Sequence, residues 1–166
     1  MKVGIVGLGR MGEGMSRRLI AAGIEVIGYR RNYAKAQEAE AAGYISRAAK
    51  TLKDLVESVR TDMQPGIFLM VVPAENVEAT ITKLIDAGAG KGDIIIDHGN
   101  SNFKDSRRRS LSLVYRNITY LDCGTSGGVY GLERGYCLMV GGETKAVNIC
   151  SPIFDALAPG IDAAPR

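Results

Sequence analysis

Hydrophobic residues along this chain follow two alternating patterns, which predict a regular succession of strands and helices. Short, unbroken apolar runs are typical of strands that are buried on both faces of a parallel sheet. Longer stretches with apolar residues every three or four positions are typical of helices that cover such a sheet. The predicted strands cover residues 3–6, 25–29, 67–72, 93–97, 119–122 and 137–140. The predicted helices cover residues 11–22, 51–59, 77–87, 104–114 and 144–157.

This order of elements predicts an α/β fold: a Rossmann-type, doubly wound, mostly parallel sheet with helices on both faces. A chain of 166 residues with 46% hydrophobic content is long enough to bury one core. We therefore predict a single domain over residues 1–158. Residues 159–166 are rich in proline, glycine and alanine, so we expect them to begin a linker.

The first predicted strand runs into the spacing Gly7-x-Gly9-x-x-Gly12, which is typical of dinucleotide-binding turns. In that motif Gly7 permits a tight turn, Gly9 lets the backbone approach a pyrophosphate, and Gly12 lets the helix pack closely on the strand. The pyrophosphate then faces the free N–H groups of the helix N-terminus. The residues predicted to bind the cofactor here are Gly7, Leu8, Gly9, Arg10, Met11 and Gly12.

Basic residues stand at the end of the second predicted strand, where NAD-binding proteins use an acidic residue to hold the ribose 2′-hydroxyl. The sequence has Arg30, Arg31 and Asn32 at this point. Guanidinium groups attract a 2′-phosphate, whereas a carboxylate repels it. We therefore predict NADP as the cofactor, with NAD as the alternative. A solvated turn without a ligand is a second alternative interpretation of these residues.

Residues at the end of the next long apolar run are a further part of the predicted site. Ligands of doubly wound sheets lie beyond the carboxyl ends of the strands. Val72 and Pro73 end this run, and Asn76 opens the helix that follows. We expect these residues to border the adenosine or the nicotinamide ribose. The alternative is a strand exit without a binding role.

Charge and composition argue against several kinds of partner. The net charge of +3 is small and no basic run interleaves with aromatic residues, so nucleic acid is not predicted as a partner. The three arginines at 107–109 are interpreted as a solvated helix face.

No apolar run has the length of a membrane span and no secretory segment is evident, so we expect no membrane partner and a cytoplasmic protein. The three cysteines match no zinc spacing and are expected to be buried free thiols, and no metal site is predicted.

Later motifs, together with the glycine turn, resemble those of the decarboxylating 6-phosphogluconate dehydrogenases, in particular their shorter bacterial form. The resemblance covers nearly the whole chain. It rests on Asp97-His98-Gly99-Asn100-Ser101, on residues 122–131 and on residues 135–142. The related β-hydroxyacid dehydrogenases usually carry a Ser-Thr pair where this chain has Asn100 and Ser101, which favours the phosphogluconate branch.

The resemblance implies an enzyme that transfers hydride from C3 of 6-phosphogluconate to a nicotinamide and then releases CO2 to give ribulose 5-phosphate. It implies that Asn100, as a catalytic residue, contacts both the substrate hydroxyls and the nicotinamide ribose. It also implies that Ser126, Gly127 and Gly128 hold the substrate carboxylate and nearby hydroxyls. A serine hydroxyl beside glycine N–H groups suits such an anion. The alternative is a flexible glycine-rich turn.

The family's base and acid are a lysine and a glutamate in a helical domain that follows this one, and no residue of this chain matches their motif. The resemblance therefore implies the cofactor part of an enzyme, inactive by itself, whose full-length form is a homo-oligomer. Two other functions stay open: a cofactor domain of the β-hydroxyacid dehydrogenase type, and a stand-alone regulator that senses NADP(H).

Two positions depart from the family's pattern. His98 stands where the family commonly has glycine, and it is the only histidine of the chain. A catalytic role is one interpretation of it, but a loop imidazole with local hydrogen bonds is favoured. Arg30 stands where short forms that use NAD often have aspartate, which strengthens the prediction of NADP.

Overall fold

Seven strands form one sheet in the computed structural model, which describes residues 1–61 and 64–160. The strands are β1 (Lys2–Val6), β2 (Glu25–Tyr29), β3 (Arg47–Ala49), β4 (Ile67–Met70), β5 (Ile94–Asp97), β6 (Thr119–Ser126) and β7 (Cys137–Gly141). Their order in the sheet is β3-β2-β1-β4-β5-β6-β7. Neighbouring strands are parallel, except that β7 is antiparallel to β6.

Helices alternate with these strands along the chain. They are α1 (Arg10–Ala21), α2 (Tyr33–Ala41), α3 (Leu52–Val59), α4 (Ala74–Asp86), α5 (Phe103–Val114), α6 (Gly131–Arg134) and α7 (Thr144–Leu157). A short 3-10 turn, Gly128–Tyr130, precedes α6. Within the described ranges, no helix combines the length and the apolar character that a membrane crossing needs.

Hydrophobic cores lie on both faces of the sheet. One core contains residues of α1, α2 and α7, and the other contains residues of α3, α4 and α5. Side chains of β5 alternate between them, because Ile94 and Ile96 belong to the first core and Ile95 to the second. The predicted α/β fold, with a mostly parallel sheet and helices on both faces, is therefore confirmed.

Most predicted elements are present with shifted ends, while α2 and β3 were not predicted. Only two alanines of α2 are buried and β3 has three residues, so neither shows a periodic apolar pattern. β4 ends at Met70, short of the predicted Val72. β6 continues to Ser126, beyond its predicted end at residue 122, because Asp122 to Ser126 pair with β7.

The prediction that all three cysteines are buried is wrong for one of them. Cys123 and Cys150 are buried, and burial raises the pKa of their thiols to about 12 and about 11. Cys137 is exposed. It lies on the edge strand β7, where alternate side chains face away from the core.

Candidate functional site

Glycine suits each of the three motif positions in the first turn for a different structural reason. Gly7 has a φ of 105°, and a Cβ there would lie 2.2 Å from the carbonyl oxygen of Val71. A Cβ on Gly12 would lie 1.9 Å from the carbonyl oxygen of Gly7, so α1 packs on the turn only without a side chain. A Cβ on Gly9 would meet no atom within 4 Å. The space beside Gly9 is therefore open, as the approach of a pyrophosphate requires.

α1 begins at this turn without a side-chain cap. Gly9 is the N-cap residue, and its carbonyl accepts the hydrogen bond from the N–H of Glu13 at 2.9 Å. The first N–H groups of an α-helix have no carbonyl partner inside the helix. Those N–H groups, beside a glycine with open space, fit the charge and the size of a dinucleotide pyrophosphate.

A cavity of about 320 Å³ lies between the glycine turn and the ends of β4 and β5. It is lined by Gly9, Arg10, Met11, Gly12, Val71, Val72, Pro73, His98, Gly99 and Asn100. The structure thus brings the turn together with Val72, Pro73 and Asn100. Asn76 does not line this cavity. It is exposed on the first turn of α4, where its N–H donates to the carbonyl of Pro73 at 2.8 Å.

A second cavity of about 330 Å³ lies on the side of the turn that faces the end of β2. It is lined by Leu8, Gly9, Arg10, Glu13, Gly14, Arg17, Arg30, Val129 and Leu132. Arg30 is therefore at the predicted place, whereas Arg31 and Asn32 do not line this cavity. Arg31 is exposed, and the Asn32 side chain caps α2 by accepting a hydrogen bond from the N–H of Lys35 at 3.4 Å.

Arg17 is a cationic residue of this second cavity that the sequence analysis missed. Its guanidinium lies over the ring of Tyr44, with 4.5 Å between the guanidinium carbon and the ring centroid. Arg10, Glu13 and Arg17 are spaced by three and four positions, so they share one face of α1. That spacing is the signal by which the sequence could have indicated Arg17.

The loop after β5 is held by the buried carboxylate of Asp97. It accepts hydrogen bonds from the N–H of Gly99 at 2.8 Å, the hydroxyl of Ser101 at 2.6 Å and the hydroxyl of Tyr120 at 2.5 Å. Burial and the bond to Asp97 raise the pKa of Tyr120 above its usual range. Because each carboxylate oxygen has a partner, the network fixes the backbone of the loop that carries His98 and Asn100.

The interpretation of residues 107–109 as a solvated face is wrong for Arg109. Its side chain is 6% exposed, and its guanidinium donates to Ser101 at 2.8 Å and lies 3.6 Å from Asp97. Arg108 is 56% exposed and pairs with Glu78. Hydrogen bonds from both arginines hold the pKa of Glu78 below its usual value. Consecutive helical residues point about 100° apart, so three in a row cover about 200° of the helix surface, and on α5 the third of them falls on the packed face with Ser106 and Leu113.

Asn100 links the loop after β5 to β6. Its φ of 54° lies in the left-handed region, where asparagine is one of the few tolerated residues. Its Nδ2 donates to the carbonyl of Thr125 at 3.0 Å, and its Oδ1 accepts from the N–H of Thr125 at 2.8 Å. An amide has two N–H groups and two lone pairs. Asn100 therefore keeps one donor and one acceptor for a ligand.

His98 is buried, with 1% of its surface exposed, and it lines the cavity beside the glycine turn. Its Nδ1 lies 2.8 Å from the hydroxyl oxygen of Thr125, whose own hydrogen is donated to the carbonyl of Cys123 at 2.9 Å. A hydroxyl has one hydrogen, so when Thr125 donates it to the carbonyl of Cys123, Nδ1 of His98 carries the proton and donates to Thr125. Burial lowers the pKa of His98 to about 4, against the opposing effect of Asp97.

The segment implied to hold the substrate begins directly after Thr125. Ser126 is exposed at the end of β6, and Gly127 and Gly128 follow with φ angles of 137° and 49°. Both angles lie in the region that favours glycine. The carbonyl of Gly127 accepts hydrogen bonds from the N–H groups of Tyr130 and Gly131, so this turn is a bonded structure.

Comparison with known proteins agrees with this geometry. The family model described as "NAD binding domain of 6-phosphogluconate dehydrogenase" matches residues 2–164 of this chain. The NAD(+)-dependent, decarboxylating 6-phosphogluconate dehydrogenase of Haloferax volcanii is 40% identical over 162 residues, covering 98% of this chain and 52% of that protein. The NADP(+)-dependent, decarboxylating enzyme of Bacillus subtilis is 32% identical over 166 residues, covering 99% of this chain and 35% of that protein. The chain thus spans about half the length, or less, of these relatives.

Solved structures show the same relationship. The chain superposes on the 6-phosphogluconate dehydrogenase of Plasmodium falciparum with a TM-score of 0.85 and 26% identity, over 99% of this chain and 36% of that one. It superposes on the 3-hydroxyisobutyrate dehydrogenase of Mycobacterium tuberculosis with a TM-score of 0.81 and 25% identity, over 95% of this chain and 52% of that one. By its sequence match, its sheet and its glycine turn, the chain belongs to the family of the NAD-binding domain of 6-phosphogluconate dehydrogenase.

Proposed function

We propose that this chain binds NADP as the cofactor part of an enzyme that oxidises and decarboxylates 6-phosphogluconate to ribulose 5-phosphate and CO2. The observation that carries the proposal is the pairing of Asn100, which lines the cavity beside the glycine turn, with Thr125, which precedes Ser126 in the chain. The names of the curated relatives, both decarboxylating 6-phosphogluconate dehydrogenases, support the same reaction.

The order of the strands suggests how a dinucleotide lies across the site. β1 and its turn are central, with β2 on one side and β4 and β5 on the other. In this fold the adenosine ribose lies at the end of β2, here beside Arg30. The nicotinamide half then extends over β4 and β5 into the cavity that His98 and Asn100 line. The sugar acid lies beyond it, toward Ser126.

The choice of NADP is supported by the charge on the adenosine side. Arg10, Arg17 and Arg30 line the cavity there, together with one acidic residue, Glu13. Arg31 is exposed next to Arg30. A 2′-phosphate gains charge-assisted hydrogen bonds from such guanidinium groups, which a ribose hydroxyl gains only weakly.

The residues of this chain bind and orient the reactants. NADP supplies the hydride acceptor when it is bound. Asn100 holds a substrate hydroxyl and the nicotinamide ribose with its free donor and acceptor, while Ser126, Gly127 and Gly128 hold the carboxylate of the phosphorylated sugar acid. The titratable side chains that line the cavity are Arg10 and His98. Arginine does not release its proton and His98 is a weak base, so we propose that the proton-transferring groups lie outside this chain.

Calorimetric titration of the chain with NADP and NAD tests the choice of cofactor. We expect NADP to bind about tenfold more tightly, and the preference to disappear in the double variant Arg30→Asp, Arg31→Ala. Arg116→Ala is the matched control, because this exposed arginine follows α5 at the opposite end of the sheet. Preference for NAD would contradict the proposed 2′-phosphate contact. Binding of neither dinucleotide would contradict the cofactor role.

The NADP complex also separates the candidate substrates. We expect it to bind 6-phosphogluconate, and Ser126→Ala to weaken that binding. A domain of the β-hydroxyacid dehydrogenase type would bind 3-hydroxyisobutyrate instead, and a regulator that senses NADP(H) would bind neither acid. Titration with both acids therefore distinguishes the three functions.

A further inference from the structure

One face of the sheet carries no side chain at Gly124, near the end of β6. Gly124 is half-buried, and it pairs with Met139 of β7. A Cβ on Gly124 would lie 3.1 Å from the terminal methyl carbon of Met139 and 3.8 Å from Oδ1 of Asn100. Met139 and Asn100 therefore both border the space above Gly124.

Ser126 shares this face of the sheet, because side chains two positions apart in a strand point to the same side. It pairs with Cys137, which lies two positions before Met139 in β7. Gly124 and Ser126 are about 7 Å apart along the strand. A small chain molecule that lies across Gly124 can therefore reach both the amide of Asn100 and the hydroxyl of Ser126.

A ligand has access to all of these groups. Asn100 and Ser126 are exposed, and Met139 is 65% exposed. Tyr120 places this face of β6 in the core formed with α3, α4 and α5, but within the described residues no member of β7 belongs to that core. An apolar, flexible side chain beside two hydrogen-bonding groups suits a sugar acid, whose carbon chain presents C–H groups as well as hydroxyls and a carboxylate.

We infer that Met139 is a substrate-contacting residue: its side chain packs on the C–H groups of the sugar acid, whose carbon chain lies across Gly124. This inference rests on the proposed function. Asn100 also lines the cavity of the nicotinamide, so the hydroxyl that it holds belongs to the part of the acid nearest the cofactor. Ser126 holds the carboxylate. Met139 adds selection for a carbon chain, because an inorganic anion has no C–H groups and gains nothing from this contact.

Substitutions of Met139 test the inference through the affinity of the NADP complex for 6-phosphogluconate. We expect Met139→Gln, which keeps the length of the side chain but makes its end polar, to weaken this binding about fivefold. Met139→Leu keeps an apolar side chain and should retain most of the affinity. Both variants should keep the urea midpoint and the NADP affinity of the wild type, because Met139 is largely exposed. Equal affinities of the two variants for the acid would overturn the inference.

Gly124→Ala is a second test, because it puts a methyl group into the space proposed for the acid. Gly124 has no positive φ and its nearest neighbour is the flexible end of Met139, so we expect the variant to fold. It should weaken the binding of 6-phosphogluconate at least about tenfold and leave the affinity for NADP unchanged. Gly141→Ala is the matched control, since Gly141 is exposed on the same face of β7 and a Cβ there would meet no atom within 4 Å. Equal losses in both variants would contradict a site above Gly124.

Carbon-13 NMR of the methionine methyl groups provides a readout that leaves the contact intact. The chain has six methionines, and Met139→Leu identifies the Met139 signal by its disappearance. We expect 6-phosphogluconate to move this signal in the NADP complex, and inorganic phosphate to leave it in place. A signal that stays in place while the acid binds would overturn the inference and leave the proposed function standing. If the NADP complex did not bind the acid, the proposed function would fail as well, so the two failures are distinguishable.

Discussion

Asn100 and Thr125 bind each other through two hydrogen bonds, of 2.8 and 3.0 Å, that reproduce the pairing between neighbouring strands. The side-chain amide of Asn100 takes the place of a peptide group at the point where β5 has ended and β6 continues. Asn100 therefore has a structural task besides the ligand contacts proposed for it. Through this pair, one residue joins the loop after β5 to the turn that begins at Ser126.

Removing the amide of Asn100 should destabilise the fold. Asn100→Gly keeps the left-handed φ of 54° without strain but loses both bonds and leaves the buried N–H of Thr125 unpaired. We expect the free energy of unfolding in urea to fall by about 2 kcal/mol. Asn117→Gly is the matched control, because Asn117 has the same φ and is exposed. Equal losses in both variants would show that the pair with Thr125 has no special weight.

Alanine should have different effects at two glycine positions of the first turn. At Gly12 it should lower the stability of the fold, and at Gly9 it should weaken NADP binding. A Cβ on Gly12 would lie 1.9 Å from a backbone oxygen, so Gly12→Ala should lower the free energy of unfolding by more than about 2 kcal/mol. Gly9 has extended backbone and open space around a Cβ, so Gly9→Ala should fold normally. It should nevertheless weaken NADP binding at least about tenfold, because the methyl group occupies the place of the pyrophosphate.

Urea unfolding and calorimetry together measure these effects. Gly90→Ala separates the effect of losing any glycine, since Gly90 has no positive φ, a Cβ there would meet only the carbonyl oxygen of Gly88 at 3.9 Å, and it precedes β5, away from the site. If Gly9→Ala bound NADP as tightly as the wild type, the pyrophosphate would not lie on this turn.

The neighbouring arginines of α5 should differ sharply in their effect on stability. Arg109→Met leaves the buried carboxylate of Asp97 without its cation, and we expect a loss of about 3 kcal/mol in the free energy of unfolding. Arg108→Met removes an exposed pair with Glu78 and should leave the urea midpoint nearly unchanged. A stability loss as large for Arg108 as for Arg109 would contradict the assignment of Asp97 and Arg109 as the pair that holds the loop after β5.

His98 should make the fold less stable in acid. Its pKa is lowered from 6.5 to about 4 in the folded chain, so the unfolded chain binds a proton in this range and the folded chain does not. Its contribution to stability is fully present above pH 6.5 and is lost as the pH falls, by about 3 kcal/mol at pH 4. Urea unfolding at several pH values measures this, with His98→Gln as the non-titrating control. Parallel pH profiles for the two proteins would show that His98 is not buried in its neutral form.

The fold could be predicted well from the sequence because its strong signals are local. The glycine spacing of the first turn and the apolar run of β5 each follow from neighbouring residues, and the structure has both. β3 and α2 were missed because a short strand and an alanine-rich helix have no apolar period. The extension of β6 to Ser126 depends on pairing with β7, a contact that local spacing does not show.

The candidate site could be predicted only in part, because its supporting contacts join distant segments. The turn, Val72, Pro73 and Asn100 meet at one cavity, as expected from strands that end at the same edge of the sheet. The bond between His98 and Thr125 and the burial of Arg109 against Asp97 depend on how β6 and α5 pack. No spacing in the sequence indicates which of three adjacent arginines turns inward.

The central claim, that one NADP molecule spans both cavities on either side of the glycine turn, is tested most directly by a crystal structure of the chain with NADP. We expect the pyrophosphate at the N–H groups that follow Gly9, the 2′-phosphate beside Arg30, and the nicotinamide in the cavity that Asn100 lines. A nicotinamide on the Arg30 side, or a pyrophosphate away from the glycine turn, would contradict the account.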